Sequence, residues 1–251
     1  MGEGNVIQVA LNGNRARSEN AAVPFTIAEM AESARAAVAV GAGSIHFHVR
    51  GSNGQESVEA TDVAAAFKAM RKAVPGTPIG MSTSQWIEPD SAERHRKVAA
   101  WTVLPDFASV NFNEPGAVVL AEMLISRGVG IEAGIGSVLA VENFVGSKLG
   151  PACLRVLLEP EEQEMAAAVA VVGLLEAFLN RGGLKTPRLL HGYEATAWDF
   201  VGVAAARHYD TRIGFEDTVT MPEGSPATGN DQLVSEAVKL TNIVSKSTSA
   251  K

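Results

Sequence analysis

The sequence predicts a closed (β/α)8 barrel, a TIM barrel, on three observations. Short Val- and Ile-rich runs alternate with longer Ala-rich segments of helical period, the cycle repeats eight times, and 251 residues is a length at which such a barrel closes. Strand-helix alternation implies parallel pairing through helical crossovers. A doubly wound open sheet is the competing architecture, but the stretch after the first strand, NGNRARSENAAVPFT, lacks the G-x-G-x-x-G turn that often opens one. One domain over 1–251 is expected, with the Ser/Lys-rich tail at about 245–251 frayed.

The elements follow in order. Strands are expected in NVIQVALN from Asn5, SIHFHV from Ser44, PIGMSTS from Pro78, FASVNFN from Phe107, VGIEAGI from Val129, LRVLLEP from Leu154, PRLLHGY from Pro187 and TRIGFED from Thr211. Helices are expected over 26–40, 61–74, 90–103, 115–127, 138–145, 161–180, 196–207 and 230–244. Thr26 followed by Glu29 reads as a capping box, and Thr61 and Asp90 open further apolar-periodic runs.

Composition narrows the function classes. A net charge of -7 gives no global attraction to nucleic acid, although a local basic pocket could hold an anion. No apolar run reaches the ~20 residues that cross a bilayer, and MGEGNVIQVALNG lacks the basic-then-apolar layout of a secretory signal, so a cytoplasmic protein is expected. The single cysteine, Cys153, excludes an internal disulfide and reads as a small buried hydrophobe.

Strand parity separates packing from chemistry. Alternate strand residues face opposite sides, and in a barrel one side is covered by helices while the other faces the interior. The second strand puts Ile45, Phe47 and Val49 outward and His46, His48 and Arg50 inward; the fourth opposes Ala108, Val110 and Phe112 to Ser109, Asn111 and Asn113. Glu132 in the fifth strand, Arg155 and Glu159 in the sixth, and Arg212 and Glu216 in the eighth also fall on the inner parity, opposite outward Leu154, Val156 and Leu158 in the sixth. Polar groups converging from five strands are costly in a dry core unless paired or ligated. Internal ion pairing, such as Arg155 to Glu132, is the alternative to a functional site.

Two imidazoles on one strand face plus a carboxylate from another make the three protein ligands of a catalytic metal site with an open position. Glu216 is the expected third ligand beside His46 and His48. Zinc suits this donor set, and so do manganese, cobalt and iron. Ser82, Thr83 and Ser84 end the third strand, where they could hold a carboxylate or simply form a turn. Asp217, beside Arg212 and Glu216, is placed as a proton acceptor next to a metal-bound carbonyl. His95 and His208 read as surface residues; His191 and Glu194 could each line a pocket or serve only local structure.

ALNGNR, AVPFTIAEMAESARAAVAVGAGSIHFHVR, IGMSTS, PDFASVNFNEPG, GVGIEAG and RIGFEDT followed by GNDQLV together resemble the β-keto acid cleavage enzymes, the family of 3-keto-5-aminohexanoate cleavage enzyme. The resemblance implies a (β/α)8 barrel, Zn2+ on His46, His48 and Glu216, and conversion of a small β-keto acid and acetyl-CoA into acetoacetate and a new acyl-CoA. It implies that Asp217, supported by Arg212, removes the α-proton, that Ser82 and Thr83 hold the substrate carboxylate, and that Ser109 and Asn111 line the pocket. Glu132 is expected to contact substrate. A homo-oligomer is expected.

Three departures qualify that resemblance, one being that the chain lacks the usual C-terminal extension and carries LLHGYEATAW where many members have a W-x-V-A-G-x-G type segment. Asn14 and Arg15 stand where the aminohexanoate enzyme carries a glutamate, so an anionic or neutral substrate is expected, read by Arg15. The glycine-rich segment that typically follows the sixth strand is replaced by EPEEQEMAAA, which shortens one wall of the coenzyme region. A CoA-independent metal-assisted aldolase, decarboxylase or hydrolase, and a noncatalytic metal-containing binding barrel, are the alternatives.

Overall fold

The computed structural model describes residues 5–248, and 249–251, the end of the tail expected to fray, lie outside them. Its elements are β1 (Ile7–Ala10), α1 (Ile27–Ala39), β2 (Ser44–Phe47), α2 (Ala60–Ala73), β3 (Ile79–Ser82), α3 (Ser91–Ala99), β4 (Phe107–Asn111), α4 (Ala117–Ser126), β5 (Gly130–Ile135), α5 (Val138–Ser147), β6 (Arg155–Leu158), α6 (Met165–Arg181), β7 (Arg188–Leu190), α7 (Ala197–Ala206), β8 (Asp210–Ile213) and α8 (Asn230–Thr248). All neighbours pair in parallel, and β8 pairs with β1 to close the barrel. This is the predicted (β/α)8 fold.

Local sequence explains the helix starts. Thr26 and Glu29 form the reciprocal capping box, and Asp90 accepts from the backbone N–H of Ala92 and Glu93. α2 opens at Ala60, one residue ahead of Thr61. α6 opens later than expected, at Met165, because Glu164 caps the N–H groups of Ala166 and Ala167. That leaves Glu161 and Glu162 free to line the barrel mouth rather than join the helix.

The outward parity sets pack under the helices, with Ile45, Phe47, Val49, Ile131, Val156, Leu158, Ile213 and Phe215 in one continuous buried core. Leu154 departs from its predicted place: it precedes β6 and is 46% exposed. Inside the barrel, the end nearest the strand N-termini is filled. Glu132 accepts from Gln8 Nε2 at 2.7 Å and from Arg155 Nε at 2.8 Å, and Arg155 also reaches Asp210 at 2.9 Å. Gly80 makes room for the Phe107 ring, which a Cβ at that position would strike. With one end plugged, the open space lies at the carboxyl ends of the strands, where barrel enzymes carry their chemistry.

Candidate active site

β2, β6, β7 and β8 end sooner than their predicted runs, so His48, Glu159, His191, Glu216 and Asp217 stand in the loops that follow. Two buried asparagines fix those loops. Asn12 pairs with both the N–H and the C=O of His48, at 2.9 and 3.0 Å, continuing the sheet by a side chain. Asn230 accepts from Phe215 N at 2.8 Å and donates to Leu11 O at 2.9 Å, tying the β8 loop to the end of β1. Gly214 permits that approach, since a Cβ there would collide with the Ala10 backbone.

These anchors bring His46, His48 and Glu216 together. Glu216 lies 3.6 Å from His46 Nε2 and 3.4 Å from His48 Nε2, and one donor atom from each residue falls within 4.8 Å of the others. Glu216 Oε2 is buried without a hydrogen-bond partner. Behind His48, Nδ1 contacts the carboxylate of Glu56, which fixes the ring and points Nε2 at Glu216. Behind His46, Nδ1 has no such partner, so only one imidazole is locked from the rear.

Electrostatics supports a cation at this point. Burial pushes His46 down to about 3. Burial also opposes charge on His48, but the Glu216 and Glu56 carboxylates outweigh it and raise that imidazole to about 9. Burial would raise the Glu216 carboxyl, yet Arg212 and the two imidazoles hold it well below the usual carboxylate range. Two nitrogens and a carboxylate oxygen, one imidazole backed by a carboxylate and one orphaned oxygen, fit a divalent transition metal such as zinc.

Beside this cluster, Arg212 donates to Asp217 Oδ1 through Nε at 3.1 Å and Nη2 at 2.6 Å, and to Glu216 Oε1 at 3.1 Å. Asp217 is fully buried, and its Oδ2 has no protein partner. His191, equally buried, lies 3.5 Å from Asp217 Oδ1 and 3.4 Å from Glu159 Oε2, close enough for charge attraction but without well-formed hydrogen bonds. Burial and Arg212 disfavour its charged form; Asp217 and Glu159 overcome both and raise its pKa.

A cavity of about 730 Å3 opens over the donor cluster, Arg212 and Glu159, while the fully buried Asp217 and His191 stand behind its wall. Of the predicted contacts, Ser82, Ser109, Asn111, Arg15, His46, His48, Arg212 and Glu216 line it. Thr83 does not: its hydroxyl donates to Ser109 O at 2.7 Å, and Ser84 takes the place beside Ser82, 2.8 Å away. Glu132 is not on the cavity wall either, being held by Arg155 and Gln8 at the plugged end. Arg15 lines the cavity, but its guanidinium is engaged by Glu19, Glu194, Phe215 O and Glu216 O, so it clamps the β1 and β8 loops together instead of presenting a free cation.

The remaining histidines and the cysteine divide. Arg50, inward by parity, reaches sideways to the backbone of Gly13 and Arg15 and covers the Phe25 ring. His95 is half-buried and bonds Gly116 O at 3.1 Å, contrary to its surface assignment, whereas His208 is exposed. Cys153 is buried, and burial pushes its thiol up to about 11, as suits an inert packing residue.

Sequence reasoning missed Glu56, Trp86 and Tyr193. The Asn53–Gly54 turn signal could have found Glu56, because a reversal there returns the chain to β2; the bridge between Arg50 and Glu56 is that reversal. Trp86 lies nearly parallel to the His48 ring at 6.0 Å and is 53% exposed at the cavity rim.

Fold and site define a class: a (β/α)8 barrel with a candidate metal centre at its carboxyl-terminal mouth. The chain belongs to the family of beta-keto acid cleavage enzymes, whose model matches residues 5–135 and 153–249. The unmatched stretch, 136–152, spans α5; EPEEQEMAAA after β6 lies inside the matched range.

The chain is 25% identical over 257 residues to the 3-keto-5-aminohexanoate cleavage enzyme of Fusobacterium nucleatum subsp. nucleatum, covering 94% of this chain and 90% of that one. A shorter match, 38% identical over 79 residues, joins 31% of this chain to 28% of the 3-oxoadipate:acetyl-CoA acetyltransferase of Cupriavidus necator. Among solved structures, apo ObcA superposes with a TM-score of 0.68 at 17% identity, over 86% of this chain and 61% of that one. The 7,8-dihydropteroate synthase of Vibrio fischeri ES114 gives 0.61 at 12% identity, over 99% and 95%. At those identities the structural likeness is one of fold. Among the described residues, no helix is long and apolar enough to cross a membrane.

Proposed function

We propose that this enzyme cleaves a small β-keto acid in a zinc-dependent exchange with acetyl-CoA, yielding acetoacetate and a new acyl-CoA. The observation that carries the reading is the convergence of His46, His48 and Glu216 beside the Arg212-clamped Asp217. The curated relatives named for 3-keto-5-aminohexanoate cleavage and 3-oxoadipate:acetyl-CoA acetyl transfer support the substrate class and the thioester. His46 Nε2, His48 Nε2 and the Glu216 carboxylate would hold the ion, which when bound supplies Lewis acidity to a keto oxygen.

The chain's own groups do the rest. Asp217 takes the α-proton on Oδ2, the oxygen that no protein group among the described residues occupies, while Arg212 holds Oδ1 and so orients the carboxylate. Ser82, Ser84 and Ser109 offer hydroxyls for the substrate carboxylate, with Asn111 beside them. Trp86 and the 50–56 loop cover His48 and limit access of water to it. A cytoplasmic homo-oligomer goes with this reading, by resemblance to the family.

A second reading keeps the metal and drops the thioester. It is favoured by Glu161 and Glu162 on the cavity wall, which repel the phosphates of a coenzyme. Acetoacetate formation from a panel of β-keto acids, with and without acetyl-CoA, separates the two. Turnover that needs both thioester and metal supports the first; turnover indifferent to the thioester supports the second; full turnover by metal-stripped protein defeats both.

A further inference from the structure

We propose that Glu159 and Asn111 form a subsite for a protonated amine on the substrate's tail, so that Glu159, rather than Arg15, sets the charge preference of this enzyme. The inference deepens the β-keto acid reading and rests on it.

The argument starts with two oxygens. Asn111 Nδ2 donates to Glu114 Oε1 at 2.9 Å and lies 3.3 Å from Ser84 Oγ. Turning the amide over would set its oxygen against the Glu114 carboxylate, so the neighbour dictates that Nδ2 faces Glu114 and Oδ1 faces away. Glu159 is similarly oriented: Oε2 lies 3.4 Å from both the Tyr193 hydroxyl and His191 Nε2, which leaves Oε1 as the free oxygen. Both free oxygens crowd one point, since a Cβ on Gly134 would strike Asn111 Oδ1 and Glu159 Oε1 alike. Among the described residues neither oxygen receives a protein donor there.

Two acceptors that converge without a donor repel each other, and a group carrying several N–H donors and positive charge relieves that repulsion. An ammonium does so; a carboxylate adds a third like charge. The surroundings carry mostly the same sign, the His191 imidazole facing Oε2 and not Oε1. Among the described residues no Lys or Arg pairs with Glu159, Glu161 or Glu162, while the two arginines on the cavity wall are engaged elsewhere, Arg15 by Glu19 and Glu194 and Arg212 by Glu216 and Asp217. Burial and the like charge of Glu159 hold the Glu114 carboxyl above its ordinary range despite Arg94 and the hydrogen bonds from Gln85 N–H and Asn111 Nδ2. The glycines at 134 and 136 are what leave the space, because a Cβ at either would meet Glu159.

Calorimetric binding in the absence of thioester tests this apart from turnover. The probes are 3-keto-5-aminohexanoate, its uncharged analogue 3-oxohexanoate, and 3-oxoadipate, titrated into metal-loaded wild type and Glu159→Gln. The wild type is expected to bind the aminated acid about tenfold or more tighter than the uncharged one, with the dicarboxylate weakest, and Glu159→Gln to bring the aminated-to-uncharged ratio near one. Arg15→Gln is expected to leave the order of the three probes as it is. The proposal is overturned if 3-oxoadipate binds the wild type as tightly as the aminated acid, or if the preference survives in Glu159→Gln of native thermal midpoint. Acetoacetate formation, assayed separately, bears on the underlying reaction: binding preference without cleavage would sink that reading and leave the subsite standing.

Discussion

Asp217 and Glu56 sit on opposite sides of the donor cluster and should separate in their effects. Asp217 touches none of the three donors through its own contacts, which run to Arg212 and His191. Asp217→Asn is therefore expected to retain metal by elemental analysis and to lose about 10²- to 10⁴-fold in acetoacetate formation, the usual worth of a positioned base. Turnover of wild-type size in that variant would remove the base from the mechanism. Glu56 acts through the His48 ring, so Glu56→Gln is expected to weaken metal affinity by roughly 10- to 100-fold in chelator competition. An affinity equal to wild type would show that the ring needs no support from behind.

At the scale of elements, the helix starts set where the loops begin, and α1 offers a titration of one such start. Hydrogen bonding to the Thr26 backbone pulls the Glu29 carboxyl down to about 2, burial opposes it slightly, and Phe25 N–H and Arg17 add to the lowering. A folded value below the ordinary 4.5 means stability that is fully present above pH 4.5 and is lost as the pH falls toward 2. The side chain is 44% exposed, which limits the effect to about 1 kcal/mol. Urea midpoints of wild type and Glu29→Gln should differ near neutrality and converge across that acid window; a constant difference would exclude the capping carboxylate as its source. The same logic of caps explains the mouth of the barrel. Glu164 starts α6 late, and the residues thereby released include Glu161 and Glu162.

Across the whole molecule, the barrel divides into a sealed end and an open one. Glu132, Arg155, Gln8 and Asp210 close the amino-terminal end with paired charges, although Glu132 Oε2 and Gln8 Oε1 are buried without a hydrogen-bond partner. Glu132→Gln leaves Arg155 with only Asp210 as an ion-pair partner, a loss expected to cost about 3 kcal/mol of unfolding free energy with metal content maintained. A variant as stable as wild type would reassign that network to mere filling. The tally of inner-parity residues thus resolves into two populations, one structural and one lining the cavity, although each strand presents them on the same face.

Eight repeats of apolar strand and amphipathic helix were legible in the sequence because side-chain periodicity is a property of the local backbone. Parity in SIHFHV placed His46 and His48 on one face for the same reason, whereas Glu216 stands in the turn after β8, beyond strand alternation, and meets them through loop conformation and barrel closure. Only the tertiary structure decided how far along the barrel axis a polar residue sits, which separates Glu132 from Ser109 although they are register partners. It also decided which polar groups are free: Arg15 is engaged by residues from distant loops and Thr83 by a neighbouring strand, whereas among the described residues Glu159 pairs with no Lys or Arg. Those outcomes depend on partners far apart in the chain, whose meeting is set by loop conformation and packing rather than by any local pattern.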